Sequence, residues 1–344
     1  MTRGTVTRGI VTRGTVTRGI VTLTAAGAID ATYRVGSLRT GDFVRASSYE
    51  REMSGKGVNV SAALSLAGVA TSAVVTVGAD DLDFAGRGPH AGLLRPVTVP
   101  GATRVNTSVI DDAGATTKVN APTPPLEEAT WRALVAETLD AVDALHADWL
   151  VISGTLPTLI GGGTADLADL LAGARTRGAR VAVDTSGAAL ARVAARPDGV
   201  RLIKPNADEL AELTGRSLRT LGDVAAAARE VVAGGIEAVY ASLGGDGVLV
   251  VTASAGVHAH ARPPRTANTA GAGDASLAGF LVGLGDRDLD DGDAVADAAA
   301  SAAAFGAHAV AQASTILPGL EGMPSAVVTR DPDPGTPLSE PALR

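Results

Sequence analysis

From Glu127 onward the chain alternates helical and strand patterns, and that alternation limits the fold more than any other feature. A helical run from Glu127 to Ala147 leads into the apolar stretch Trp149 to Ser153. A second, from Ala165 to Arg177, leads into Arg180 to Asp184, and Val200 to Lys204 reads as another strand. Asn206 opens a helix to Leu213, a further helix covers Thr220 to Gly234, and strands follow at Ala238 to Ser242 and Val248 to Val251. Asp293 to about Val310 makes a late alanine-rich helix. These strands are built on apolar runs rather than alternation, the pattern of strands buried on both faces. Repeated β-α units of this kind place the chain in the α/β class, with a mostly parallel sheet flanked by helices.

The first third reads differently. Ile20-Val21-Thr22-Leu23-Thr24 is a strand, followed by polar-apolar alternation such as Thr32-Tyr33-Arg34-Val35 and Asp42-Phe43-Val44-Arg45. A glycine turn at Ser54-Gly55-Lys56-Gly57 opens a helix from Asn59 to about Leu66, and Ser72 to Val77 is a buried strand. Residues 79–96 read as loop. Thr103 to Asn120 alternates again around a hairpin signal at Asp111-Asp112-Ala113-Gly114. The two alternating stretches, about 31–53 and 103–122, predict a small sheet standing off the main body. At the start, Thr2 to Val11 is repeated letter for letter as Thr12 to Val21, with four arginines, no acid and no secretory h-region. Residues 1–18 are therefore set apart as a tail expected to be disordered. One domain is expected over 19–323, and the proline- and charge-rich residues 324–344 are expected to be loose.

Composition removes several functions. Aromatic residues make up 3% and the formal charge is −8, so neither stacking rings nor a basic face is offered to nucleic acid. There is no cysteine, hence no disulfide and no thiolate zinc site, which is compatible with a reducing cytoplasm. No run of about 18 apolar residues is present, so no membrane span is expected. Five histidines show no HExxH spacing; His258 and His260 share one face of a strand, read as a solvated face in preference to a metal pair.

Four polar or glycine-rich clusters carry the chemistry. Neither GxxxxGK[ST] nor a helix-opening GxGxxG is present, so P-loop and dinucleotide readings fail. In Thr269-Ala270-Gly271-Ala272-Gly273-Asp274, a glycine turn runs into a helix and points N–H groups at an anion. Asp274 beside such a site reads as a base that deprotonates a nucleophile next to phosphate; a capping aspartate is the alternative. Lys56, between Gly55 and Gly57, is an uncrowded charge suited to a phosphate, and Asn59 is suited to sugar hydroxyls or to a helix N-cap. Asn206 and Glu209 have capping-box spacing and equally suit a hydrated Mg²⁺. Ser242-Leu243-Gly244-Gly245-Asp246-Gly247 fits a hairpin turn or a nucleotide-phosphate loop. Each cluster follows a strand, and the carboxyl ends of parallel strands are where ligands collect.

Gly55-Lys56-Gly57-Val58-Asn59-Val60 and Thr269 to Asp274, in that order and with Lys204-Pro205-Asn206-Ala207-Asp208-Glu209 between them, resemble the two signatures of the PfkB (ribokinase-like) carbohydrate kinases over about Ile20 to Pro318. Arg104-Val105-Asn106, Thr116 to Asn120, Ser153 to Pro157 and Asp184 to Gly187 are similar to the branch that holds 1-phosphofructokinase and tagatose-6-phosphate kinase. The resemblance implies a ribokinase-like, Rossmann-type core with a small β-sheet lid, and a cytoplasmic enzyme that is usually a homodimer through that lid. It implies ATP and Mg²⁺ as cofactors and phosphorylation of a ketohexose phosphate, foremost fructose 1-phosphate, with a tagatose-6-phosphate kinase, a 6-phosphofructokinase or a non-catalytic sugar-phosphate binder as alternatives. By matching position, Asp274 is the base and Gly271, Ala272 and Gly273 the anion hole. Asp30, Gly55, Lys56, Gly57, Asn59 and Arg104 hold the sugar phosphate. Lys204, Asn206, Ser242, Gly244, Gly245, Gly247 and Thr269 contact ATP, and Asn206 and Glu209 serve the metal. Two departures stand out: Ala26-Gly27 where the family has Asn-Pro, and Ala121-Pro122-Thr123 where it has Glu-Pro-Gly.

Overall fold

The computed structural model describes the backbone of residues 5–8 and residues 18–343. Its strands are β1 (Thr5–Arg8), β2 (Ile20–Thr24), β3 (Ala28–Val35), β4 (Ser48–Ser54), β5 (Thr71–Gly78), β6 (Leu94–Val99), β7 (Val105–Asp111), β8 (Thr116–Asn120), β9 (Trp149–Ser153), β10 (Arg180–Asp184), β11 (Val200–Ile203), β12 (Leu218–Thr220), β13 (Ala238–Ser242), β14 (Val248–Thr252), β15 (Gly256–His260), β16 (Ala326–Arg330) and β17 (Pro337–Ala342). The helices are α1 (Lys56–Leu66), α2 (Leu82–Arg87), α3 (Glu128–Leu145), α4 (Ala168–Thr176), α5 (Gly187–Ala195), α6 (Ala207–Thr214), α7 (Leu221–Ala233), α8 (Ala272–Leu284) and α9 (Gly292–Val310).

The apolar strands gather with β1, β6, β15 and β16 in one eleven-stranded sheet, ordered β1-β16-β15-β14-β13-β11-β10-β9-β2-β5-β6. From β13 to β6 every neighbouring pair is parallel. The other end, β14, β15, β16 and β1, is an antiparallel ribbon. Helices cover both faces, which is why β2 and β9 are buried at every position. One face packs on α3 to α7 and the other on α1, α8 and α9. The alternating segments form a separate four-stranded sheet, β4-β3-β7-β8, in which β3 and β7 are parallel.

The low aromatic content shows in how α8 meets α9. Cβ atoms placed on Gly279 and Gly283 would come within 2.7 Å of the Ser301 and Asp297 carbonyl oxygens, so only glycine admits this approach. Alanines along α9 complete the seam, and α8, which carries Asp274 in its first turn, is locked in position by it.

Several boundaries depart from the sequence reading. Helix α1 begins at Lys56, not Asn59. Gly55 caps it at φ 138°, and Gly57 already donates to Thr24 Oγ1 (3.0 Å), with no room for a Cβ there. Residues 79–96, read as loop, hold α2 and the start of β6; six residues of helix, containing Gly86 and ending at Gly88, are too short to show a period. Helix α5, passed over in the sequence, is nine residues made largely of alanine. The C-terminal residues 324–344, expected loose, carry β16 and β17, because Val328, Leu338 and Ala342 are buried against the body. The expectation of a disordered 1–18 tail falls mostly outside the described residues, but Thr5–Arg8 is an edge strand on β16.

Candidate active site

Beyond the carboxyl ends of β10, β11 and β13 lie Asp184, Lys204 and Ser242, since parallel strands deliver their last residues to one edge. Asp184 is fully buried and accepts Lys56 Nζ on Oδ1 (3.1 Å) and Lys204 Nζ on Oδ2 (3.3 Å). Burial works against its charge, yet the ammonium groups of Lys204 and Lys56 hold its carboxyl below the ordinary carboxylate range. Burial likewise opposes the charge on Lys56, and the carboxylates of Asp184, Asp274 and Glu209 outweigh it and raise its pKa. The Lys56 side chain remains 42% exposed, so its ammonium is tethered and still open to the cleft.

Asp274 sits in the first turn of α8, whose cap Gly271 is in the left-handed region at φ 75° because a Cβ there would strike the Thr315 carbonyl. Burial pushes Asp274 up to about 6, Asp184 adds to the rise, and Lys56, the Asn59 amide and Lys204 oppose it. Gly273 faces Lys204, whose Nζ lies 3.5 Å from the place of its missing Cβ. Asn59 is no N-cap: one turn into α1, it donates Nδ2–H to Asp274 Oδ2 (2.9 Å). From there contacts run back to the small sheet. Ser54 Oγ lies 3.2 Å from Asn59 Oδ1 and donates to Asp30 Oδ2 (2.8 Å), and Asn106 Nδ2 donates to Asp30 Oδ1 (3.1 Å). Asn106 Oδ1 is buried and has no partner among the described residues. Glu52, opposite Asp30 on β4, is pushed up to about 7 by burial and by the charges of Asp30 and Glu50.

The remaining residues singled out in the sequence line the same edge. Asn206 and Glu209 form the reciprocal capping box of α6: Glu209 N–H donates to Asn206 Oδ1 (2.8 Å) and Asn206 N–H to Glu209 Oε2 (2.9 Å). Ser242 bridges to Asn206, so Gly244, Gly245 and Gly247 follow directly beside that cap. Thr269 is exposed ahead of α8. Arg104 is committed to the backbone, donating to the carbonyls of Ala26 (3.0 Å), Gly27 (3.2 Å) and Ala121 (3.2 Å). These contacts use three of its five N–H donors and leave one on each Nη. Burial lowers its pKa, and Asp30 works in the other direction. His258 and His260 stack at 5.7 Å, and His258 Nε2 contacts the Asp246 carbonyl.

A hydrogen-bonded base near neutrality, two ammonium groups on one carboxylate and a glycine-lined helix start together suit phosphoryl transfer. The sequence profile of the pfkB family carbohydrate kinases matches residues 20–321. The chain belongs to that family. It is 36% identical over 303 residues to the 1-phosphofructokinase of Rhodobacter capsulatus, covering 86% of this chain and 92% of the relative. It is 30% identical over 276 residues to the ATP-dependent 6-phosphofructokinase isozyme 2 of Escherichia coli, covering 77% and 85%. The crystal structure of Escherichia coli phosphofructokinase-2 in complex with potassium superposes with a TM-score of 0.73 at 27% identity, over 88% of this chain and 96% of that one. The protein is thus an ATP-dependent sugar kinase with the α/β fold of its family.

Within this kinase the first departure has a local cause. Gly27 N–H donates to Thr76 Oγ1 (2.9 Å), and a Cβ at 27 would lie 2.1 Å from the Thr76 carbonyl oxygen. Proline has no N–H to give and would collide there. The second departure meets the first at Arg104, which bonds both Gly27 and Ala121.

Three residues of the cluster escaped the sequence reading as site residues: Asp184, Ser54 and Asn106. Asp184 had a signal, a lone carboxylate ending the apolar strand Val181-Ala182-Val183. If it is the counter-charge for both lysines, Asp184→Asn strands two ammonium groups and destabilises the fold by roughly 3 kcal/mol in urea unfolding at neutral pH. An unchanged unfolding midpoint would refute that role.

Proposed function

We propose that this kinase transfers the γ-phosphoryl group of ATP to a primary hydroxyl of a ketohexose phosphate, foremost the 6-hydroxyl of fructose 1-phosphate. The observation that carries the reading is Asp274: buried, held near neutrality and hydrogen-bonded at the start of α8 beside Lys56 and Lys204. Asp274 takes the hydroxyl proton. The amides of Gly271, Ala272 and Gly273, with Lys204, stabilise charge on the transferring group. Lys56 and the two remaining N–H groups of Arg104 grip the phosphate already on the sugar. Asp30 and the unpartnered Asn106 Oδ1 accept from sugar hydroxyls. Thr269, Ser242 and the Gly244–Gly247 loop line the nucleotide.

Mg²⁺ fits the donor set. Glu209 spends Oε2 on the cap of α6, and its charge adds to the raised pKa of Lys56. A hydrated ion that takes few protein ligands would rest on Glu209 and Asn206, and when bound it neutralises the phosphate charge. The small sheet is the lid of this reading. Its exposed Tyr49, Val105 and Val119 support a homodimer through it; a chain that sediments as a monomer at micromolar concentration counts against that. Both substrates are charged metabolites of the cytoplasm, where the reading places the enzyme.

Similarity to the 1-phosphofructokinase supports fructose 1-phosphate, and the 6-phosphofructokinase relative keeps fructose 6-phosphate as the second reading. A coupled ADP-release assay over free and phosphorylated ketohexoses decides. The highest kcat/KM is expected for fructose 1-phosphate, and tagatose 6-phosphate or fructose 6-phosphate in its place would redirect the assignment. No turnover on any sugar would leave a binding protein.

Asp274 must be ionised to act, so kcat/KM should rise with pH through about 6 and level off above it. Asp274→Asn should lower kcat by roughly 10² or more. The raised pKa also means that stability falls as pH climbs from the ordinary aspartate range of about 4 through about 6, with the full cost present above it. Asp274→Asn should therefore be more resistant to urea at pH 8, by about 1–3 kcal/mol. Near-normal turnover in this variant would end the assignment.

A further inference from the structure

The C-terminal segment lies beyond residue 321, where the family match ends, yet it is built onto the edge of the site. Leu221 and Gly222, the first residues of α7, donate their N–H groups to the Thr336 (2.9 Å) and Pro334 (3.0 Å) carbonyls. Helix-start donors have no partner within their own helix, so the tail supplies one from outside. A Cβ on Gly222 would lie 2.7 Å from the Pro334 oxygen, so the approach requires glycine. Strand β17 then pairs with β12, Thr220 opposite Pro337 and Leu218 opposite Ala342, and buries Leu338 and Ala342.

Anchored in this way, the tail reaches the loop between β13 and β14. Ser339 N–H donates to Asp246 Oδ2 (2.7 Å) and Ser339 Oγ to Asp246 Oδ1 (2.6 Å). Glu340 Oε2 stands 3.6 Å from the place where Gly244 would carry a Cβ. The backbone of Asp246 is held as well: its N–H donates to the Leu243 carbonyl (3.0 Å), and its own carbonyl meets His258 Nε2 (2.7 Å). Burial lowers the His258 pKa, so the ring is neutral and its N–H can donate there at physiological pH. Asp246 is therefore fixed by four contacts, two of which come from the tail.

We propose that residues 331–342 are a strap that holds the Ser242–Gly247 loop in its nucleotide-binding shape, with Ser339 a positioning residue that acts through Asp246. This rests on the reading that the loop lines ATP. A charge-assisted pair of hydrogen bonds on a glycine-rich loop restricts backbone freedom that would otherwise be lost on binding nucleotide.

In the full-length enzyme, Ser339→Ala should raise KM for ATP about five- to tenfold, with kcat and the KM for the sugar phosphate within about twofold of the parent. Ser339→Thr, which keeps the hydroxyl, should restore the ATP KM. Deleting residues 331–344 should raise it further; if that variant does not fold, the Ser339 pair decides. Gly245→Leu, which fills the loop, separates the two readings. If it raises the ATP KM and Ser339→Ala does not, the strap is wrong and the nucleotide loop stands. If neither changes it, the loop reading fails and the strap with it. An equal loss in kcat and in both KM values on Ser339→Ala marks a merely structural contact and overturns the proposal.

Discussion

One buried carboxylate organises the cleft. Asp184 has no solvent of its own and is ionised because two ammonium groups share it. Those groups come from elements distant in sequence, Lys56 from the start of α1 and Lys204 from the end of β11. The ion cluster thus fastens the start of α1 to the carboxyl edge of the sheet at one point. It also sets the neighbouring base: Asp184 raises the proton affinity of Asp274, and the lysines lower it. A buried pair of this sort is a weak source of stability and a strict source of geometry. Here it holds two cations close to the base and to Gly273.

The second constraint is backbone packing. With so few aromatic rings, the core is filled by alanine, valine and leucine and by close helix approach. Gly279 and Gly283 let α8 lie directly on the carbonyls of α9, and Gly271 turns the chain into α8 against Thr315. The start of α8 therefore has little freedom. That suits a helix whose first amides and first carboxylate face a reacting phosphate.

Legibility in the sequence followed the range of the interactions. The parallel sheet was readable because each central strand is a local apolar run, and α6 because Asn206 and Glu209 form their cap within four residues. Asp274, Lys56 and Asn59 were readable from glycines beside them. The start of α1 was not, since its glycines answer to Thr24, a residue thirty positions away. Arg104 read as a ligand of the sugar phosphate, whereas carbonyls elsewhere in the chain take three of its five N–H donors. The tail looked loose because its prolines and charges hide Leu338 and Ala342, which find their partners only on β12 and α7. Ser54 showed only as the start of a glycine turn: a serine there is ordinary until the fold sets Asp30 on one side of it and Asn59 on the other.

That serine has a single proton and two acceptors. Asp30 and Asn59 therefore share one hydrogen bond between them, and Asn59 passes its part to Asp274. A carboxylate on the small sheet and a carboxylate on α8, 244 residues apart in the chain, are thus joined by one hydroxyl and one amide. Whatever draws the Ser54 hydroxyl toward Asp30 draws it away from Asn59, the residue whose amide holds Asp274 in place.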